Sequence, residues 1–230
     1  MNPRRHDRWS GKILEHESRP IRTRANDDVD KAARREDILE AARSLFLQDS
    51  RQLPSVARIA EKARLAKGTV YTYFTTKEEI FAALLADSLD AVLALLAQGL
   101  GGAQPSLDTL IEAFVSYIEA HPEVSRLDAM AYQLERNLSP EAMHTHKLRA
   151  TMGLVAGGGL LEAALGLPAG RGVKVLSRIY ALTRGLWQWL DYPPEMREVL
   201  SEPVFAPIRP DFREELVEAL NEYVRGATAP

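Results

Sequence analysis

The stretch Ala60–Ile80, AEKARLAKGTVYTYFTTKEEI, constrains this chain more than any other. Two short segments with helical periodicity flank a tight turn, and a helix start follows at once. Ile59, Ala60 and Ala63 give the first segment a small apolar face. Val70, Phe74 and Phe81 continue a buried face at helical spacing. Lys67, Thr69, Tyr71, Tyr73 and Lys77 stand between them as an outward set of cations and hydroxyls. A DNA duplex demands such groups, as donors to phosphate oxygens and as side chains long enough to reach base edges. Gly68 allows a close backbone approach to DNA, or is a small residue near a helix start. Thr76-Lys77-Glu78-Glu79 reads as a capping box, Thr76 at the N-cap and Glu79 three residues on. Lys77, beside the free amides of that helix start, suits a phosphate.

The run Lys67-Gly68-Thr69-Val70-Tyr71-Thr72-Tyr73-Phe74, followed by Lys77-Glu78, resembles the signature of the TetR family of bacterial one-component repressors. The likeness extends back through Ile59-Ala60-Glu61 to Ile38, Ala41, Ala42 and Phe46, covering roughly Ala32 to Leu85. It implies an N-terminal three-helix DNA-binding domain and a C-terminal helical domain for ligand binding and dimerisation. It also brings Ser55, at a helix start that touches the DNA backbone, and Arg58, whose position reaches a base. The implied DNA-binding set is therefore Ser55, Arg58, Lys67, Gly68, Thr69, Tyr71, Tyr73 and Lys77. Two positions depart from the pattern. Arg64 stands where the family mostly has a turn glycine, and must hold a conformation that Gly takes at less cost. Ala66 stands where the family mostly has a capping Ser, whose loss costs on the order of 1 kcal/mol.

Length allows one or two domains and a sizeable core in 230 residues. The absence of Cys rules out disulfides and thiolate metal sites. Arg4, Arg5 and Arg8 have no apolar run after them, which argues against a signal peptide. Met152–Leu167, the most apolar stretch, is interrupted by three consecutive glycines and Glu162, and reads as too short and broken to span a bilayer. A cytoplasmic protein with no membrane partner fits. The net charge of −3 is unevenly spread: residues 1–80 carry 17 Lys/Arg against 13 Asp/Glu, and the remainder 12 against 19. A basic end on an acidic body suits a protein that meets nucleic acid at one end.

Periodicity predicts an all-α chain with no useful strand alternation. The expected divisions are an irregular arm over 1–30, a helix-turn-helix domain over 31–80 and a helical domain over 81–230. Arg19, Arg22 and Arg24 in the arm suit a minor groove, or are a tail with no role. The first helix is expected over about Asp30–Gln48, which puts Lys31, Arg34 and Arg35 in its first turns. Helices follow over Val56–Ala63, Lys67–Phe74 and Lys77–Gln98. In the body we expect helices from a Ser106 cap to His121-Pro122, over Glu123–Arg136, from Ser139-Pro140 towards Leu165, over Gly172–Tyr192, and after Pro210. Gly157, Gly158 and Gly159 imply a kink, a close helix contact or a break in the third of these.

Enzyme chemistry finds no foothold. No phosphate-binding glycine loop follows a strand, and His144 and His146 are two apart on a helix, a spacing that points them away from each other. No cofactor or metal is expected. The resemblance further implies an effector cavity among the middle helices and a homodimer built on the two late ones. Phe114, Tyr117, Met130, Tyr132, Met152, Arg184 and Trp187 are the candidate cavity residues, with Trp189 and Tyr180 beside them. Such a lining favours a small apolar or aromatic effector, with Arg184 available for a carboxylate. Trp187, Trp189 and Tyr180 serve equally as core or dimer interface. Leu176, Ile179, Leu186, Leu216 and Leu220 are the interface candidates. The expected function is a ligand-responsive repressor acting as a homodimer on a palindromic operator. The alternatives are a constitutive DNA-binding or architectural protein, and a helical enzyme or interaction module with a vestigial helix-turn-helix.

Overall fold

Ile38, Ala42, Leu45 and Phe46 recur at the spacing of one helix face, and that face seats the first element of the structure. The computed structural model describes residues 21–50, 52–102 and 106–228, and among them every regular element is helical. The order is α1 (Ile21–Gln48), α2 (Val56–Lys62), α3 (Lys67–Tyr71), α4 (Lys77–Leu100), α5 (Leu107–Ala120), α6 (Pro122–Ala129), α7 (Ala131–Arg136), α8 (Pro140–Leu165), α9 (Arg171–Leu190), α10 (Pro194–Val199), a 3-10 helix (Pro203–Ile208) and α11 (Phe212–Thr228). The chain divides into two units, Met1–Glu36 and Asp37–Pro230.

Several boundaries differ from expectation. α1 starts at Ile21, directly after Pro20, so the irregular arm does not extend to residue 30 and Lys31, Arg34 and Arg35 fall inside the helix. No residue between Pro20 and Asp30 is a Gly or Pro that would interrupt it. The turn, α2, α3 and the whole body lie in the second unit. α3 ends at Tyr71, short of Phe74. The single helix expected over Glu123–Arg136 is two, because Met130 leaves helical geometry at φ −94°, ψ 2°. α10 and the 3-10 helix occupy the proline-rich stretch before Pro210, where no element was expected. Arg19 lies outside the described residues.

Four helices carry the side-chain caps read from sequence. Ser55, Thr76, Ser106 and Ser139 each accept from the amide three residues on. The Thr76 cap is reciprocated one residue earlier than a standard capping box, since Glu79 Oε2 accepts from the Thr75 amide at 2.7 Å. α8 runs unbroken through Gly157, Gly158 and Gly159 and ends at Gly166, left-handed at φ 63°. The glycines mark a close contact. A Cβ on Gly158 would lie 2.7 Å from the Val173 amide nitrogen, and one on Gly172 would lie 2.0 Å from the Gly158 carbonyl oxygen. The backbones of α8 and α9 touch there.

One core gathers Ile38, Phe46, Ile59, Val70, Phe81 and Leu84 from α1–α4 with Leu127 of α6 and Leu134 of α7. Phe46 and Phe81 meet at 5.7 Å between ring centroids. The helix-turn-helix is thus packed on the body by shared apolar surface. Two further clusters hold the body, one between α4, α5, α8, α9 and the end of α11, the other between α5, α9 and α11. By length and composition α4 and α8 are apolar enough to cross a bilayer; α4 places Phe81, Leu84, Leu96 and Leu100 in these cores. α8 leaves Leu148, Met152 and Val155 exposed.

Candidate nucleic-acid interface and effector cavity

α2 ends in a tight turn with both backbone bonds of a Schellman motif. The Leu65 amide donates to the Ala60 carbonyl at 2.9 Å and the Arg64 amide to the Glu61 carbonyl at 3.1 Å. Arg64 adopts φ 57° to close it, the left-handed geometry expected of a residue in a glycine's place. Ala66 is the N-cap of α3 and makes no side-chain bond there, also as expected. Val70, 1% exposed, and Phe74, 7% exposed, turn α3 and its exit inward.

That orientation leaves the other side of α3 open. Lys67, Gly68 and Tyr71 are exposed, and Thr69 is half-buried. The Lys67 ammonium sits 5.8 Å from the centre of the Tyr71 ring, so the two present one cationic, aromatic tip. A Cβ on Gly68 would meet nothing within 4 Å, so the fold itself does not require a glycine there. Tyr73 differs from the expected outward set: it is half-buried and packs against the helix-turn-helix core. Ser55 and Arg58 are exposed at the start of α2, and Lys77 keeps 41% of its side chain exposed at the start of α4. Lys62 and Arg64 are exposed cations beside the turn. Lys62 was missed because its position on a short helix end gives no periodic signal.

A cavity of about 430 Å³ lies behind this head, walled by α4, α5, α6, α7, α8 and α9. Leu85, Leu89 and Leu93 of α4 make much of its apolar surface, with Phe114 and Leu154. Of the sequence candidates, Phe114, Arg184 and Trp187 line it, as does Tyr180. The others do not. Tyr132 and Met152 point outward, 76% and 63% exposed. Met130, at the break between α6 and α7, packs on the helix-turn-helix core. Tyr117 stacks at 4.5 Å on His121 and reaches the Ser88 carbonyl at 3.5 Å, which takes it out of the wall. Trp189 is 46% exposed. The leucines of α4 were missed because an apolar face on a long helix reads the same whether it meets a core or a cavity.

Arg184 is already paired within the wall: its Nε lies 3.3 Å from Asp128 Oδ2, and its Nη1 donates to the Tyr180 hydroxyl at 3.1 Å. Tyr180 in turn donates to Asp128 Oδ1 at 2.7 Å. Burial and then that bond push the Tyr180 hydroxyl up to about 12. Glu135 holds Lys147 at 2.6 Å and His146 at 3.7 Å. Burial lowers the His146 imidazole below its ordinary range and favours its neutral form.

α6 has a second face. Glu123, 4% exposed, lies 3.6 Å from Arg43 of α1 and 3.2 Å from His121. The same short helix therefore walls the cavity through Val124, Ser125 and Asp128 and holds the head through Glu123 and Leu127. The interface candidates Leu186, Leu216 and Leu220 are buried inside the protomer, and Leu176 and Ile179 face the cavity. These side chains are consumed by the chain's own core and cannot form a surface between copies.

Comparison with known proteins agrees with this architecture. Residues 38–84 match the family described as "Bacterial regulatory proteins, tetR family", and residues 82–230 that described as "Tetracyclin repressor-like, C-terminal domain". The HTH-type transcriptional repressor KstR2 of Mycolicibacterium smegmatis is 30% identical over 89 residues, 39% of this chain. The match spans only 43% of that relative's length. A putative transcriptional regulator from Pseudomonas aeruginosa PAO1 superposes with a TM-score of 0.56 at 19% identity, over 86% of this chain and 91% of that one. The TetR family regulator PfmR from Thermus thermophilus gives 0.54 at 19% identity, over 82% and 94%. At such identities the likeness is one of fold.

Proposed function

This chain belongs to the TetR family of bacterial regulatory proteins, and from that premise we propose that it is a ligand-responsive repressor that binds a palindromic operator as a homodimer in the cytoplasm. The observation that carries the reading is the division of labour on α3. Val70 is committed to the core, while Lys67, Gly68 and Tyr71 face outward beside Arg58 and Lys77. In this reading α3 enters the major groove. Tyr71 and Thr69 read base edges, with Arg58 beside them, and Ser55, Lys67 and Lys77 hold phosphates. Tyr73, half-buried, supports the helix and offers its hydroxyl at the edge. The role proposed is binding and release, with no catalytic step.

The effector occupies the cavity behind α4. Phe114, Trp187 and the α4 leucines hold its apolar body, and the Arg184 cluster borders it. Switching requires that it favour the state that does not bind DNA, by about 1–3 kcal/mol of coupling. α4 and α6 are the proposed carriers, because Leu84 and Leu127 sit in the head core while Leu85 and Ser125 face the cavity. Gel-shift titration against an operator selected from random DNA tests the assignment. Lys77→Ala is expected to weaken all sequences alike and lower the salt slope by about one unit. Tyr71→Ala is expected to relax base preference in addition. Unchanged affinity in both variants would sink it.

A further inference from the structure

The wall of the cavity carries five titratable or charged side chains, Asp128, Glu135, His146, Lys147 and Arg184, beside Tyr180. Each already has its partner in the wall. Asp128 is shared by Tyr180 at 2.7 Å and Arg184 at 3.3 Å. Glu135 takes Lys147 at 2.6 Å, with His146 at 3.7 Å. The two carboxylates and the two permanent cations cancel. An anionic or cationic guest would have to compete with one of these pairs and leave a wall charge without its partner. A neutral guest disturbs none of them.

Two other groups in the wall are unsatisfied. Thr183 is 7% exposed, and its hydroxyl has no hydrogen-bond partner among the described residues. The Trp187 indole N–H likewise has none. They stand four residues apart on α9, on the same helix face, and both residues line the cavity, the two donor atoms themselves lying just beneath its surface with less than 1 Å² exposed each. Buried polar groups in native proteins are nearly always paired, so two orphan donors side by side in a cavity wall want an acceptor.

Resting on the effector reading above, we infer that the cavity takes an uncharged, largely apolar molecule carrying a hydrogen-bond acceptor, such as a ketone, ester or ether oxygen, directed at Thr183 and Trp187. Its bulk lies along Leu85, Leu89, Leu93 and Phe114, and a volume of about 430 Å³ suits a molecule of drug size. An aromatic acid, the guest suggested by Arg184 alone, is disfavoured because Arg184 is committed to Asp128.

The test compares two fluorescent probes on one skeleton with the full chain. 6-Propionyl-2-(dimethylamino)naphthalene is a neutral ketone whose emission reports hydrogen bonding to its carbonyl; 6-(dimethylamino)-2-naphthoic acid is its anionic counterpart. The ketone is expected to bind saturably, one per chain, and at least about ten-fold more tightly than the acid. Thr183→Val preserves size, Trp187→Phe keeps an aromatic ring of smaller volume, and each removes its donor. Each is expected to weaken the ketone about five-fold and to shift its emission to the blue. Melting curves of both variants verify that the fold is kept. An acid that binds as well as the ketone overturns the inference and leaves the effector reading standing. Unchanged ketone affinity and emission in both folded variants also overturns it. If neither probe binds, the effector reading fails, and this inference with it.

Discussion

Arg64 and Ala66 sit in one turn, and each departs from what its backbone asks for. Arg64 holds φ 57°, where a side chain costs about 1–2 kcal/mol that glycine does not incur. Ala66 lies at φ −66°, ψ 142°, close to the geometry of Ser139 at φ −64°, ψ 157°, which does cap its helix. The backbone at Ala66 is thus already placed for a cap that its methyl cannot make. Ala66→Ser is expected to raise stability by about 1 kcal/mol. Arg64→Gly is expected to raise it by about 0.5–1 kcal/mol, the relief of φ being offset in part by a more flexible unfolded chain. Urea denaturation of the full chain measures both. Since Arg64 is also an exposed cation beside α3, its loss is expected to lower operator affinity at low salt.

At the scale of elements, the glycines of α8 and α9 separate two roles that look alike in sequence. Gly172 has its Cβ position 2.0 Å from the Gly158 carbonyl oxygen, a backbone atom that cannot rotate away. Gly159, next to Gly158, has open space around it. Gly172→Ala is therefore expected to destabilise the body, at the upper end of the about 1–3 kcal/mol typical of overpacking. Gly159→Ala is expected to stabilise it by about 0.5–1 kcal/mol through helix propensity. Thermal unfolding of the two variants should move in opposite directions. The contrast also marks what was legible in the chain. Caps such as Ser55, Thr76, Ser106 and Ser139 act within three residues, so the sequence displays them. The inward turn of Val70 and Phe74 follows from periodicity alone. The contact of Gly158 with Gly172, the exposure of Tyr132 and Met152, and the pairing of Arg184 with Asp128 depend on which element lies opposite. That is decided by packing between helices far apart in the chain, and residue type gives no sign of it.

At the scale of the whole molecule, the proposed palindromic operator asks for two copies of the five-residue α3, one per half-site. The buried leucines of α9 and α11 cannot join two copies, but the opposite faces of the same helices can. On α9 the exposed residues Lys174, Arg178, Ala181, Gly185 and Trp189 follow one stripe. On α11 the exposed residues Glu214, Glu218 and Glu222 follow another. The helices are antiparallel: Arg171 donates to the Ala227 carbonyl at 3.1 Å, and Trp187 meets Phe212 edge-on at 5.2 Å. Lys174 therefore sits towards one end of the pair and Glu214 towards the other, with Arg178 and Glu218 nearer the middle. A two-fold axis perpendicular to the pair reverses the ends, and sets Lys174 and Arg178 of one protomer against the carboxylates of its mate. The small Ala181 and Gly185 let the helices approach near the centre. We propose this as the dimer surface. Arg178→Glu and Glu218→Arg are each expected to shift the chain towards monomer at micromolar concentration and to weaken operator binding. The double variant is expected to recover much of the dimer, because the pair is restored with its signs exchanged. Light scattering across a dilution series reads all three. A dimer unaffected by either single change would place the interface elsewhere, and the exposed Leu148, Met152 and Val155 of α8 are then the apolar surface to alter next.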